Sequence, residues 1–327
     1  MFSLVLRRIG ITIFLLLAVS FLTFVLVQLA PGTAFDQYRA NPQISSDLIN
    51  QMEAKYGLNE PIHVQYGKWL WNLLQGDMGY SFIHERPVTE LILEAFGNTV
   101  FLMAASIIVT WLLALPMGIY CAVNQYSWGD QLFSVLAFVG MSIPNFFLCF
   151  LLLYLASLIG GWPLGGMTSI GYQQMSFWER GIDLIQHMAI PVVVISTSAM
   201  AGLQRITRGN MLEVLRKQYI TAARARGLPE GRVIYVHALR NAVNPLITIF
   251  GYQFSSLISG AALVEIIISW PGMGQLMLNA VFSQDQFLVV GGVLAGGVLL
   301  ILGNLIADVL LGWVDPRIQM GSSGVEA

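Results

Sequence analysis

Charged side chains are scarce in this chain. They make up 10% of its 327 residues, against 56% hydrophobic ones, whereas a soluble domain carries about 25% charged residues. The shortage excludes an ordinary water-soluble domain and places the chain in a bilayer. Cysteine is nearly missing too. Cys121 and Cys149 both fall inside apolar runs, which excludes a disulfide framework or a cysteine-based metal site. No GxxxxGK(S/T) loop is present to cradle nucleotide phosphates, and no HExxH to hold zinc. No serine or cysteine has a recognisable activating partner, so the chain is read as no enzyme, with no cofactor or metal of its own. The net charge of −2 favours no charged partner, and no nucleic acid is expected. A membrane protein that moves a solute without binding nucleotide must draw energy from an ion gradient or from a separate ATPase.

What the sequence has instead is long apolar runs. Arg7 and Arg8 precede the run from Ile9 to Leu29, which matches the roughly 20 residues needed to cross a ~30 Å hydrocarbon core. A cleavable signal peptide is the rival, but the run is long for one and Pro31 is poorly placed for cleavage. Further spans are expected at Asn98 to Val123, Gln131 to Leu158, Asn244 to Ile268 and Phe287 to Leu311. A weaker run from Met188 to Ile206 contains Pro191 and is counted as well, because neighbouring helices can satisfy the backbone groups a proline frees. The expected fold is an all-α integral membrane protein with six transmembrane helices. Its parts are an N-terminus and first span (1–29), an external loop (30–97), a five-span core (98–312) that includes a cytoplasmic loop (207–243), and a tail (313–327).

Between Pro31 and Gly97 the chain turns polar and acidic, as a large external loop between spans one and two would. Ser45 or Ser46 can cap a short helix ended by Gly57. Pro61 can open another, whose Ile62, Tyr66, Trp69, Leu70, Leu73 and Leu74 share one face before Gly76. With Trp69 and Trp71, that helix suits a lipid interface, packing on the bundle, or receipt of a binding protein. Orientation follows from Lys and Arg. With both termini in the cytoplasm, eleven of the sixteen basic residues lie inside, as the positive-inside rule favours. The Asn124 to Asp130 turn has no Lys or Arg, so the rule is silent there.

One basic island interrupts the apolar pattern: RKQYITAARARGLPEGRVIYVHALRNAVNP, from Arg216 to Pro245. Lys217 to Arg226 favours helix, Gly227 suits a left-handed cap, and Pro229 can occupy the first position of the next helix. Ala222, Ala223 and Gly227 give a surface with little side-chain bulk, which suggests docking. Thr221-Ala222-Ala223, Gly227 and then Leu239 resemble the cytoplasmic EAA loop of ABC importer permeases. The string YITAARARGLPEGRVIYVHALRN is similar to that of the dipeptide/oligopeptide permease family, B-type subunit. It departs from the general importer pattern at Thr221, where an acidic residue is usual, at His237 (isoleucine) and at Arg240 (proline); the peptide branch commonly shows such departures. GLNEPIHVQYGKWLWNLLQGDMGYSF, LVEIIISWPGMG from Leu263 to Gly274, and Asp315-Pro316-Arg317 resemble the same family at three other places.

The resemblance implies the ABC importer type I permease fold in a bacterial inner membrane. It also implies a second homologous permease subunit, two ATPase subunits carrying ATP and magnesium, and a periplasmic or lipid-anchored solute-binding protein, with membrane lipid around the spans. In that family a short coupling helix enters a groove on each ATPase, which here assigns ATPase coupling to Tyr219, Thr221, Ala222, Ala223, Arg224, Arg226, Gly227, His237, Arg240 and Asn241. Arg224 and Arg226 would add charge-assisted contacts to the ATPase. Dipeptides or oligopeptides are the expected solutes, with nickel chelates or glutathione as alternatives.

Glu265 and Asp308 sit near predicted span ends and are costly if exposed to lipid, so they face protein, water or headgroups; either could line a pathway. His187, before Met188 and Pro191, reads as a structural hydrogen-bonding residue. Gly291, Gly292, Gly296, Gly297 and Gly303 in the last span allow close helix packing, by default within the chain. An ion-coupled transporter would need a solute and ion site near mid-membrane, often with buried ionisable groups, and no buried acid stands near a span centre. An intramembrane enzyme lacks its nucleophile and base.

Overall fold

Helices dominate the computed structural model, which describes residues 2–30, 59–298 and 301, with positions 39, 45, 47, 51, 54 and 57. The side chains of 2–9, 12, 247–248 and 251–260 fall outside that description. The ordered elements are α1 (Phe2–Leu29), α2 (Ile62–Leu74), a two-stranded antiparallel hairpin of β1 (Tyr80–Ser81) and β2 (Arg86–Pro87), α3 (Val88–Val123), α4 (Trp128–Ser142) and α5 (Asn145–Ile159). Then come α6 (Phe177–Leu215), α7 (Gln218–Ala225), α8 (Asn244–Ile268), α9 (Met273–Phe282) and α10 (Gln286–Val298). Two compact units result, one of residues 1–99 and 271–301, the other of 100–270 and 302–327.

In the first unit, Pro61 caps α2 and the expected apolar stripe forms. Ile62, Tyr66, Trp69, Leu70 and Leu73 pack with Phe24 of α1 and with Val290 and Leu294 of α10. Leu74 is off that stripe and exposed, as is Trp71. The Trp69 indole donates to the Met78 carbonyl at 3.0 Å, so this tryptophan anchors protein rather than headgroups. The short helix expected around Ser45 to Gly57 lies almost wholly outside the described residues. Val88, Leu91, Ile92 and Ala95 form a second cluster with Met273, Ala280, Leu288 and Val289. Asp285, buried at the start of α10, accepts a 2.5 Å hydrogen bond from the Ser81 hydroxyl and a longer one from the Leu288 N–H. Burial pushes its carboxyl above the usual range, against the pull of those donors.

The glycines of α10 do different jobs. A side chain at Gly292 would collide with Met277, and one at Gly297 with Leu16, whereas Gly296 faces open space. The Gly292 and Gly296 pair is therefore a one-sided contact. Gly303 lies outside the described residues.

Two helices differ from the sequence reading in length. The helix expected from Asn98 begins at Val88, within the first unit, because Glu90 and Glu94 lie on a helix that extends beyond the apolar run. The run expected at Met188 to Ile206 is the middle of the 39-residue α6, which tolerates Pro191 and starts in a capping box. The Ser176 hydroxyl accepts the Glu179 N–H and the Glu179 carboxylate accepts the Ser176 N–H. The single span expected from Gln131 to Leu158 is broken, with α4 and α5 meeting at 102°. Ile143 precedes Pro144 and is held extended, at φ −86° and ψ 120°, since a following proline disfavours helical geometry. By length and composition α3 and α6 can each cross a membrane, and α4 with α5 passes as one bent pair. Residues Ala261–Ile268 and Met273–Phe282 pass only taken together, across the break at Ser269 to Gly272.

The α3, α5, α6 and α8 helices share a core of Leu102, Met103, Ile107, Cys149, Val192, Val194, Ile195, Ala261 and Val264. Helix α6 packs tightly on α3 at Gly118, where an added Cβ would lie 2.6 Å from Thr207 Cβ and 2.9 Å from the Gln204 carbonyl oxygen.

Candidate functional site

The basic island folds into a compact cap on the ends of α3 and α6. Leu215 ends α6, Lys217 caps α7, and Gly227 adopts φ +76°. A side chain there would meet nothing within 4 Å, so glycine is needed for backbone geometry and not for room; any L-residue costs about 1–2 kcal/mol in the left-handed region. Pro229 stands one position earlier than expected, as the cap before Glu230–Arg232 rather than the first helical residue. A π-helical stretch follows (Val233–Ala238), then a last turn (Leu239–Ala242) before α8. In this wider turn Val233, Ile234 and Ala238 face inward.

Helix α7 is two-faced. Ile220 and Ala223 are buried with Ile119 and Ala122 of α3, Met211 of α6, and Val233, Ile234, Ala238 and Ala242. Tyr219, Thr221, Ala222, Arg224 and Arg226 are exposed, Tyr219 by 47%. Of the two neighbouring alanines, Ala222 therefore faces outward and Ala223 fixes the helix to its own chain. Tyr235 and Val236, 62% and 52% exposed, extend the outer surface, a contribution the π stretch hides from helical periodicity.

Arg224 is engaged within the loop. Its Nη2 lies 2.6 Å from Glu230 Oε1, and its Nε 3.2 Å from both carboxylate oxygens. That hydrogen-bonded guanidinium holds the Glu230 carboxyl below the usual range. The contribution this pair makes to stability is present above the ordinary glutamate pKa and is lost as pH falls through the lowered value. Both partners are largely exposed, so the pair is small in energy; its geometric effect is to bridge the Gly227 turn. Arg226 carries no ion pair among the described residues. His237 is half-buried and its carbonyl accepts the Asn241 amide at 2.9 Å; Asn241 and Arg240 are exposed.

The same end of this unit holds a pair that sequence reading missed. Asp130, at the start of α4, accepts Arg208 Nε at 2.7 Å and Nη2 at 2.8 Å. The Asp130 side chain is 4% exposed and that of Arg208 25%. Asp130 also accepts the Tyr126 N–H at 2.9 Å. The pair joins the turn from Asn124 to Asp130, on which charge counting was silent, to the basic end of α6. Residues 78 apart give no periodic signal.

The other candidates lie elsewhere. Glu265 is 1% exposed, in the last turn of α8. Asp308 lies outside the described residues. His187 Nδ1 is 2.8 Å from the Asp183 carbonyl oxygen and 3.6 Å from its carboxylate, while Asp183 accepts the Ser169 N–H; this is an internal polar tie.

Comparison with known proteins agrees with the island's resemblance. Residues 114–320 match the family described as binding-protein-dependent transport system inner membrane component, and residues 1–103 match the N-terminal part of such membrane components. The chain is 41% identical over 317 residues to the oligopeptide transport system permease protein AppB of Bacillus subtilis (strain 168), covering 96% of this chain and 98% of that one. It is 36% identical over 338 residues to the dipeptide transport system permease protein DppB of Escherichia coli (strain K12), at 98% and 99% coverage. Against the di/tripeptide transport system permease protein DppB of Pseudomonas aeruginosa (strain UCBPP-PA14) the figures are 34% over 337 residues, 98% and 99%. Two family matches that together take in almost the whole sequence, and full-length relatives well above 30% identity, place this chain in the family of inner membrane permease components of binding-protein-dependent transport systems.

Proposed function

We propose that this chain is one of two permease subunits in an ATP-driven importer of dipeptides or oligopeptides. The observation that carries the coupling role is the two-faced α7. Its inner face is pinned by Ile220 and Ala223 to the ends of α3 and α6, so a push on the outer face of α7 moves the spanning helices with it. Its outer face offers Ala222, exposed and small, beside Tyr219, Arg226 and the Gly227 turn. An ATPase groove can therefore approach the backbone closely at Ala222. Arg224, held by Glu230, shapes this surface, and Arg226 is the arginine available for a charge-assisted contact with the partner.

In this reading six helices cross the bilayer: α1, α3, the bent α4 and α5 together, α6, α8, and a last span beginning with α10. Both termini are cytoplasmic, which puts eleven of sixteen basic residues inside. The Asp130 to Arg208 pair supports this by placing the start of α4 and the end of α6 on one side. ATP and magnesium belong to the two ATPase subunits, and a solute-binding protein delivers peptide from outside. Closure of the ATPase pair rocks the two permeases between inward-facing and outward-facing states. Peptide as the solute is supported by the peptide-transport names of the similar proteins; nickel chelates and glutathione are the alternatives within the same architecture.

Affinity purification in mild detergent, followed by uptake in reconstituted vesicles, tests the reading. The expected result is a complex of this chain with a second permease and two ATPase subunits that accumulates labelled peptide only with ATP. Uptake that follows a proton or sodium gradient, with no ATPase in the complex, would replace it with an ion-coupled transporter.

A further inference from the structure

Resting on the membrane orientation above, we infer that the groove between α4 and α6 binds the phosphate headgroup and one acyl chain of an anionic phospholipid. The groove has a volume of about 180 Å³ and is lined by Ser134, Ala137, Phe138, Met141, Gln204, Arg205 and Arg208. Its α4 wall is a single stripe, spaced i, i+3, i+4 and i+7 from Ser134 to Met141. The stripe is polar at the end near Asp130 and apolar beyond it, with Phe138 and Met141 largely exposed. Its α6 wall presents Arg205 and Arg208 one turn apart, and residues three apart lie on one helix face.

The two arginines are in different states. Arg208 commits two N–H groups to Asp130, which leaves the remainder of its five donors for another acceptor. Arg205 is exposed and makes no hydrogen bond or ion pair among the described residues. Because Asp130 neutralises Arg208, the groove carries one net positive charge from Arg205. A strongly accepting anion satisfies both guanidinium groups at once. The apolar stripe decides the source of that anion. Free phosphate gains nothing from Phe138 and Met141, whereas an acyl chain lying along them covers surface that faces the membrane. Basic pockets between spanning helices at the cytoplasmic side have this chemistry for lipid headgroups.

The test uses the assembled importer in bilayers of phosphatidylcholine with a minor fraction of phosphatidylglycerol, extracted and weighed by native mass spectrometry. Wild type is expected to retain phosphatidylglycerol over phosphatidylcholine. Arg205→Gln is expected to reduce that retention roughly five-fold, the effect of one interfacial cation, and Arg205→Lys to recover part of it. Phe138→Ser is expected to weaken retention of both lipids. Unchanged phosphatidylglycerol retention in Arg205→Gln overturns the inference, as does its displacement from wild type by inorganic phosphate, which would mark a free-anion site. Loss of the second permease from Arg205→Gln with no change in bound lipid also overturns it, since protein would then cover the groove. Peptide uptake by the wild-type vesicles reports the importer reading separately, whatever the lipid result.

Discussion

Arg208→Leu is expected to lower the thermal midpoint of the purified complex by on the order of 10 °C. The variant leaves the Asp130 carboxylate buried, with the Tyr126 N–H and a long contact from the Ser134 hydroxyl as its main remaining donors. Breaking a buried pair from one side costs about 3–5 kcal/mol, because the orphaned charge has lost both water and its partner. Removing the charge as well separates this from lost packing. Asp130→Asn combined with Arg208→Leu keeps an acceptor for Tyr126 and is expected to recover much of the lost midpoint. Equal midpoints for the single and double variants would show that the pair is not what joins α4 to α6.

Gly118→Leu is expected to have a comparable effect by a different route. Even the first carbon of a side chain at this position would lie 2.6 Å from Thr207 Cβ and 2.9 Å from the Gln204 carbonyl oxygen. The Thr207 side chain is fully buried and the Gln204 oxygen is backbone, so neither can swing aside and α3 must separate from α6. Overpacking of this kind costs about 1–3 kcal/mol for a small group and more for a large one. Gly202→Ala, on the facing helix α6, is the control. Nothing lies within 4 Å of a Cβ there, and replacing a mid-helix glycine by alanine stabilises by up to about 1 kcal/mol. Thermal midpoints of the two variants are expected to move in opposite directions; a drop for Gly202→Ala as large as that for Gly118→Leu would remove the close-approach explanation.

Much of the cap formed by the basic island was legible because its signals are local. Gly227 needs the left-handed region, Pro229 cannot continue a helix, and the apolar run from Asn244 to Ile268 matches α8 residue for residue. The facing of the two alanines was not legible. Ala222 and Ala223 are chemically identical, and only the packing of Ile220 and Ala223 against α3 and α6 tells them apart. The ion pair of Arg224 was not legible either, because Glu230 stands six residues on, across a glycine turn, where helical spacing gives no cue.

Larger features were hidden for similar reasons. Hydropathy averages over the Ile143 and Pro144 break because both flanking helices are apolar. It also starts α3 and α6 too late and ends α6 too early, because polar residues on a helix look like loop outside the apolar run. Close approach at Gly118 gave no cue beyond the glycine itself, whereas the noticeable Gly292 and Gly296 spacing turned out to pack at one end only. Long-range pairing such as Asp130 with Arg208 depends on the packing of two helices, which composition and spacing do not encode.

The claim that matters most is that α7 receives the ATPase on its outer face. Ala222→Cys, labelled with a short photoactivatable maleimide, tests it directly, since the native Cys121 and Cys149 are both buried and give little background. Irradiation of the assembled complex is predicted to join this chain to one ATPase subunit. Labelling of Ala222→Cys in intact cells by a membrane-impermeant thiol reagent, with no ATPase adduct on irradiation, would contradict it.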